Sequence, residues 1–457
     1  MRTASRHFCF YDRIIIFLLY WVTLQDIVLG VIYRITHSKM LVTPLFYSKD
    51  ALLIVLLIAA LARFRPNHKI EVSEYIFLAL LAVIGAVSFL TSQLSASSIA
   101  AALRGLLLCP AFLLIGYNIR NKEVMKEYII NNYFRYLFFL SIIGIADCAI
   151  DHFIGTQAFW TGFAGIGDFY ADIKHSSGIY RNLPSNFYGY SSAGFFTRKR
   201  LVSIWGNPLT SGYSLLIPGL YFVNRTLDIL KARGQNKSKT AIKTIIYTFV
   251  FIVAVFLTFT RAIILGMFLG IGLLVMYRNR KRMSNVVALL LFLLICGVLY
   301  IAVADFTRIQ RILVDGSTLA HLRALDRSSD LMSFWGNGIG AVGLLGGQVA
   351  TESVYYSIWG QIGFPGLIIF TAILLIAIRS SYKGVCRHGD FPLIVGISWI
   401  VLLFTGFISE QLTAYTTIAS AYIMLGMVQS KDRRWDTAAS RPVDMLLTKR
   451  EYVDCVR

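Results

Sequence analysis

The sequence predicts an all-α polytopic membrane protein, with about 12 transmembrane helices, both termini cytoplasmic and two long extracytoplasmic loops. Three observations carry this. Hydrophobic residues make up 56% of the 457 residues and charged residues only 15%, and mean hydropathy is +0.65. A soluble domain carries about 25% charged residues, so this much apolar surface needs lipid as its solvent. The apolar residues fall in long runs, and the basic residues fall in short blocks between them.

Runs near 14–33, 46–62, 74–91, 98–116, 134–153, 203–223, 244–260, 262–277, 285–303, 354–377, 391–408 and 412–428 can each cross a bilayer, since a crossing takes roughly 17–25 residues. The pair 244–260 and 262–277 reads as a helical hairpin broken at Thr260-Arg261. Met1 to Arg13 leads into an apolar run longer than a signal-peptide core and without a small-residue cleavage site, so the first helix is expected to be retained. Residues 1–430 form one transmembrane domain in this reading, and 431–457 a basic cytoplasmic tail to which no chemistry is assigned.

Orientation follows from Lys and Arg. With both termini inside, the blocks at Arg63/Arg65/Lys69, Arg120/Lys122/Lys126, Arg225 to Lys243, Arg278/Arg280/Lys281/Arg282 and Arg379/Lys383/Arg387, together with the tail, are cytoplasmic. This accounts for most of the 44 basic residues and for the net charge of +20; basic loops mark the cytoplasmic face and favour anionic lipid. Nucleic acid is not the expected partner. The long segments about 155–202 and 304–353 then lie outside, and loops of that length are functional or disordered. The first mixes aromatic and small residues, as in Ile166-Gly-Asp-Phe-Tyr170 and Asn186-Phe-Tyr-Gly-Tyr190. Two readings stay open for it, a sugar-binding surface or an amphipathic loop at the lipid interface.

The six cysteines all fall in expected spans or on the cytoplasmic side, so no disulfide is expected. No Cys/His spacing suggests a metal, and no P-loop glycine pattern suggests a nucleotide. Ionisable groups near spans are costly and are functional candidates. Asp26, Arg104, Asp147, Asp151, Arg200, Arg261, Glu352 and Glu410 all fall toward the outer side. Either they build a polar site open to that face, or pairs such as Arg104–Asp147 and Asp26–Arg261 fix helix packing. Several arginines in one outer cavity suit phosphate oxygens, which guanidinium forks bind bidentately.

Three motifs sit at these residues: Arg200-Leu-Val-Ser-Ile-Trp-Gly-Asn207-Pro208, Leu257-Thr-Phe-Thr-Arg261 to Gly266, and Trp335-Gly-Asn-Gly338-Ile-Gly340 followed by Glu352-Ser-Val-Tyr355 to Gly366. In order, spacing and membrane side they resemble the bacterial O-antigen polymerase and O-antigen ligase family over roughly 190–370. The resemblance implies a metal-independent glycosyltransferase with no cofactor in a bacterial inner membrane, using undecaprenyl-diphosphate-linked oligosaccharides as donor and acceptor alongside chain-length regulator and flippase proteins. It assigns catalysis to Arg200 and Arg261, and Arg323 and Arg327 match the arginine upstream of the Gly-x-Gly less specifically. Arg327 precedes Gly343 by fifteen intervening residues, a spacing found in such polymerases. Where the ligases carry histidine before Ser-x-Tyr this chain has Glu352, which favours polymerisation over transfer to a lipid A core.

The expected chemistry needs cations for the departing diphosphate, for which Arg261 and Arg200 are the candidates, with Arg104 behind them. Glu352 accepts or orients the attacking hydroxyl proton, or else caps a helix start. Asp147, Asp151 and Asp172 leave a retaining route open. Arg104, Arg323, Arg327, Asn207, Gly338, Gly340 and Tyr355 are candidates for substrate binding. Asn207-Pro208 and Gly206 suit a backbone role at a helix start, and Gly338 and Gly340 suit a tight turn, with or without a ligand beside it. The rival readings are a ligase and a transporter. A transporter built of two similar halves would show an internal repeat, and none is visible.

Overall fold

The protein is described from a computed structural model that places residues 8–62, 82–83, 102, 104–174, 179–180, 182–189, 198–231, 239–279, 332–342, 351 and 353–429. In chain order the helices are α1 (Phe10–Thr36), α2 (Lys39–Ala62), α3 (Cys109–Tyr117), α4 (Lys122–Tyr128), α5 (Phe134–Phe153), α6 (Ile166–Asp172), α7 (Pro208–Lys231), α8 (Lys239–Leu257), α9 (Arg261–Asn279), α10 (Val354–His388), α11 (Asp390–Thr405) and α12 (Tyr415–Val428). A π-turn at Arg104–Leu108 leads into α3, and another at Ile129–Tyr133 joins α4 to α5.

Among the described residues, six helices are long and apolar enough to cross a membrane: α1, α2, the joined α4–α5, α8, α9, and α10 as far as Tyr382. Helices serve here because each backbone N–H and C=O finds its partner within the segment, which an apolar solvent demands. Shorter apolar helices cover 104–117, 390–405 and 418–428. Helix α7 is less apolar and, as far as Asn224, almost wholly buried. Its Thr210, Ser211, Gly212, Ser214 and Gly219 present small side chains to its neighbours, as close packing between helices without a hydrophobic drive requires. Ten of the expected runs coincide with described helices, the fourth only from Arg104 onward. The runs 74–91 and 285–303 and the tail lie outside the described residues, apart from 82 and 83.

The helices define two ends. At one, Leu201 N–H donates to the Leu257 carbonyl at 2.7 Å, Val354 N–H to the Gly406 carbonyl at 2.9 Å and Tyr33 Oη to Asp172 Oδ2 at 2.7 Å. At the other, Tyr11 Oη donates to the Ile115 carbonyl at 3.0 Å, Arg278 pairs with Asp228 at 2.8 Å, and Asn224 Nδ2 donates to Asp390 at 2.9 Å.

The first end carries a cap made from the 155–202 segment. Short antiparallel pairs, β1 (Ile179–Tyr180) with β2 (Leu183–Pro184) and β3 (Tyr188–Gly189) with β4 (Arg198–Lys199), shape it. It has its own apolar core, in which Trp160, Phe169, Tyr170, Phe187 and Tyr188 pack with Leu29 and Tyr33 of α1. In their described residues, 166–170 and 186–189, the two aromatic motifs therefore depart from both sequence readings. Phe169, Tyr170, Phe187 and Tyr188 are buried, because the segment is long enough to fold its rings inward onto the α1–α2 turn. Phe159 and Phe163, by contrast, stay exposed.

Helix α10 is broken at Gly363 (φ 74°, ψ 176°), two residues before Pro365. The break is where the 332–342 segment docks. Asn337 N–H donates to the Gly360 carbonyl at 2.8 Å and Phe364 N–H to the Phe334 carbonyl at 2.9 Å, so carbonyl and amide groups freed by the break are satisfied. A Cβ on Gly336 (φ 77°) would sit 2.5 Å from Gly363 N and 2.6 Å from the Gln361 carbonyl. Gly336→Ala is expected to cost about 1–3 kcal/mol from overpacking on top of the backbone penalty. Gly155→Ala has the same φ but open space around it and should lose less. Thermal unfolding of the detergent-solubilised protein checks this, and equal losses would mean that 332–342 is not docked on the break.

Candidate functional site

At the cap end two arginines meet over the turn between α8 and α9. Arg200 follows β4, whose pairing with β3 fixes its direction, and its own N–H donates to the Phe187 carbonyl at 2.8 Å. Its Nε donates to the Thr258 carbonyl at 2.8 Å and its Nη2 to the Thr260 hydroxyl at 2.9 Å. Helix α8 ends at Leu257, leaving its last carbonyls without intrahelical donors. Leu201 N–H takes that of Leu257, and a guanidinium at a helix C-terminus also suits the dipole. Arg200 thus has neutral partners here and a structural reason to be held.

Arg261 is placed differently. It is the first residue of α9 and is exposed. A cation at a helix N-terminus opposes the dipole, and it lies beside a second cation. Burial, with Arg261 adding repulsion, pushes the Arg200 guanidinium down to about 10; it is still protonated at neutral pH. Two cations beside the start of one helix make a place where an anion relieves the repulsion.

The other candidates are used by the fold itself. Arg104 pairs with Asp50 of α2 at 3.2 Å, in place of the Asp147 that sequence suggested. Asn207 caps α7: its Oδ1 accepts from Leu209 N–H at 2.8 Å and its carbonyl from Ser211 N–H at 3.0 Å, with Pro208 at the first helical position. Gly206 (φ 62°) makes the turn before it, and its carbonyl accepts from Tyr170 Oη at 3.0 Å. Gly338 and Gly340 have φ of 94° and 85°. The Gly340 amide donates to Gln361 Oε1 at 3.1 Å, so it serves the docked loop. Tyr355 Oη donates to the Leu403 carbonyl at 2.6 Å, bracing α10 on α11. Glu352, Arg323 and Arg327 lie outside the described residues. Their neighbours Thr351 and Ser353 are buried, and Ser353 Oγ donates to the Gly406 carbonyl at 3.2 Å.

Sequence reasoning missed Lys199. Its ammonium, with the side chain 2% exposed, lies 2.8 Å from Asp147 Oδ1 and 3.8 Å from Asp151 Oδ1. It also bonds the Thr156 hydroxyl and sits 5.4 Å from the centre of the Trp160 ring. The signal was available: Asp147 and Asp151 stand four residues apart on one face near the end of α5, an acidic pair that calls for a cation. Asp26, offered as a partner for Arg261, instead pairs with Lys174 at 2.5 Å and accepts from Tyr170 Oη at 2.7 Å. Burial, reinforced by Asp26, raises that phenol. Among the described residues no three His, Cys, Asp or Glu side chains gather as metal ligands. A small cavity of about 10 Å³ lined by Thr23, Tyr133, Ser214 and Ser420 lies within the helix bundle and includes neither arginine.

No family profile and no curated protein matches this chain. The geometry supports a prediction of its own. Lys199→Met leaves two carboxylates without their buried cation and is expected to cost about 3–5 kcal/mol. Adding Asp147→Leu should recover part of the loss. Thermal unfolding and protease sensitivity of the 155–202 segment read both effects.

Proposed function

We propose that the chain is a polysaccharide polymerase of a bacterial inner membrane. It joins undecaprenyl-diphosphate-linked oligosaccharide repeat units into O-antigen, capsule or exopolysaccharide chains on the periplasmic face and releases undecaprenyl diphosphate. The observation that carries this reading is the placement of Arg200 on the turn that leads into α9, near enough to Arg261 at the start of that helix for their charges to repel. Such an arrangement is costly for stability and complementary to a diphosphate. The resemblance of the three motifs to the polymerase and ligase family adds the sugar chemistry.

Twelve crossings with both termini cytoplasmic belong to the same reading, and parity supports them. Helix α1 runs toward the cap end; α2 and α3 both run away from it. Helices α9 and α10 likewise both run away. One further crossing between Ala62 and Arg104, and another between Asn279 and Val354, restores alternation, and the apolar runs 74–91 and 285–303 fall in those intervals. The end opposite the cap carries Arg120, Lys122, Arg278 and Arg379, which makes it the cytoplasmic one.

In the reaction, the acceptor hydroxyl oxygen attacks the anomeric carbon of the donor chain. The bond to the diphosphate breaks, and its electron pair leaves on the diphosphate oxygen. Arg261 and Arg200 neutralise that charge, and the hydroxyl proton passes to Glu352. Arg200 is held on Thr258 and Thr260, so its charge is fixed before substrate arrives. Arg261, at the start of α9, is the exposed partner.

In a strain lacking the gene, Arg261→Ala or Arg200→Ala should abolish long chains and leave single repeat units on the core, while the protein still reaches the membrane. Normal polymer from both variants would sink the reading. A transferase acting on the core would instead leave free lipid-linked chains, and a transporter would trap units inside. Glu352→Gln should reduce polymer far more than protein level; unchanged chain length would leave Glu352 as a helix cap.

A further inference from the structure

The segment docked on the α10 break carries a ladder of rings that the reading above does not use. Trp335 meets Phe334 edge-on with centroids 4.9 Å apart, Phe334 lies 6.3 Å from Phe364, and Phe364 lies 5.3 Å from Trp359. Trp359 Nε1 donates to the Ser333 carbonyl at 3.0 Å, which ties the far rung to the segment. The ladder faces outward: Trp335 is 76% and Phe334 59% exposed. In water that would be a costly display of apolar surface.

We infer that this ladder is an interfacial anchor, whose partner is the headgroup and upper acyl region of the bilayer leaflet on the cap side. Three features of the fold favour lipid. First, the ladder continues an apolar face. Phe364, Ile368 and Leu375 of α10 are all exposed and share one side of the helix by their spacing. Second, the length fits. From Phe364 to Tyr382, where the apolar stretch ends, the helix rises about 27 Å at 1.5 Å per residue, close to the roughly 30 Å of a hydrocarbon core. That puts the rings at one boundary and the basic Arg379 near the other. Tryptophan prefers that boundary, where the ring is in hydrocarbon and the indole N–H is wet, and the phenylalanine rings beside it fill the hydrocarbon side. Third, the segment that carries Phe334 and Trp335 is fixed in place. The backbone bonds Asn337–Gly360 and Phe364–Phe334 hold the segment against the break, so the orientation is set before lipid is present. The same end of the bundle also exposes Phe153 and Phe163, which fits an aromatic belt on that leaflet.

The inference needs the spanning role of α10 and is independent of the polymerase reading. The test is tryptophan fluorescence of the full chain in vesicles whose acyl chains carry bromine either near the glycerol or near the chain end. Trp335→Phe isolates the contribution of this one indole by difference. The Trp335 signal should be quenched about twofold more by the shallow bromines, since an interfacial indole sits at headgroup level. Phe334→Trp in the Trp335→Phe background should restore a shallow-quenched signal, because that ring occupies the same ladder. Quenching by neither lipid, with quenching by aqueous iodide instead, would put the ladder in water, as a sugar-stacking platform requires, and overturn the inference. Stronger quenching by the deep bromines would overturn it as well.

Discussion

A lysine ammonium that is 2% exposed is tolerable only with charge compensation, and Lys199 obtains it from Asp147 and Asp151 at the end of α5. The arrangement of the cap end follows from that pairing. Lys199 is the last residue of β4, so fixing its side chain fixes the strand. The next residue, Arg200, is then delivered to the carbonyl end of α8, where Thr258 and Thr260 receive it. Leu201 follows with its N–H on Leu257. Three consecutive residues thus clamp the cap between two helices, and the clamp puts one guanidinium beside the start of α9.

That placement sets the electrostatics. Arg200 at a helix C-terminus and Arg261 at a helix N-terminus are separated by a turn of three residues, Thr258 to Thr260. The first is favourable by its dipole and the second is not. Sites where charge is held against its preference are where a ligand of opposite charge gains most, because binding removes a repulsion as well as adding an attraction.

Much of the remaining polar chemistry serves packing. Arg104 with Asp50, Tyr355 on Leu403, Asn207 capping α7 and Gly340 bonded to Gln361 are all internal uses of groups that look like ligand contacts in one dimension. The reason is common to them. In a bundle with an apolar surround, a polar side chain must find a partner inside the protein, so an isolated polar residue in a span is a poor guide to a ligand. Two like charges brought together are a better one.

By itself the sequence determined the helical character and the positions of the apolar runs, because hydropathy over a window as long as a bilayer is thick does not depend on what packs against what. It also located the hairpin at Thr260-Arg261 and the helix start at Asn207-Pro208, since Pro and capping residues act over one turn. Tertiary structure alone decided which charge meets which. Asp147 chose Lys199, Asp26 chose Lys174, and Arg104 chose Asp50, over sequence separations of 52, 148 and 54 residues. It likewise turned Trp160, Phe169, Tyr170, Phe187 and Tyr188 inward as a core and left Trp335 and Phe334 facing out. Those outcomes depend on distances between helices that are remote in the chain, and no local pattern of residues encodes such distances.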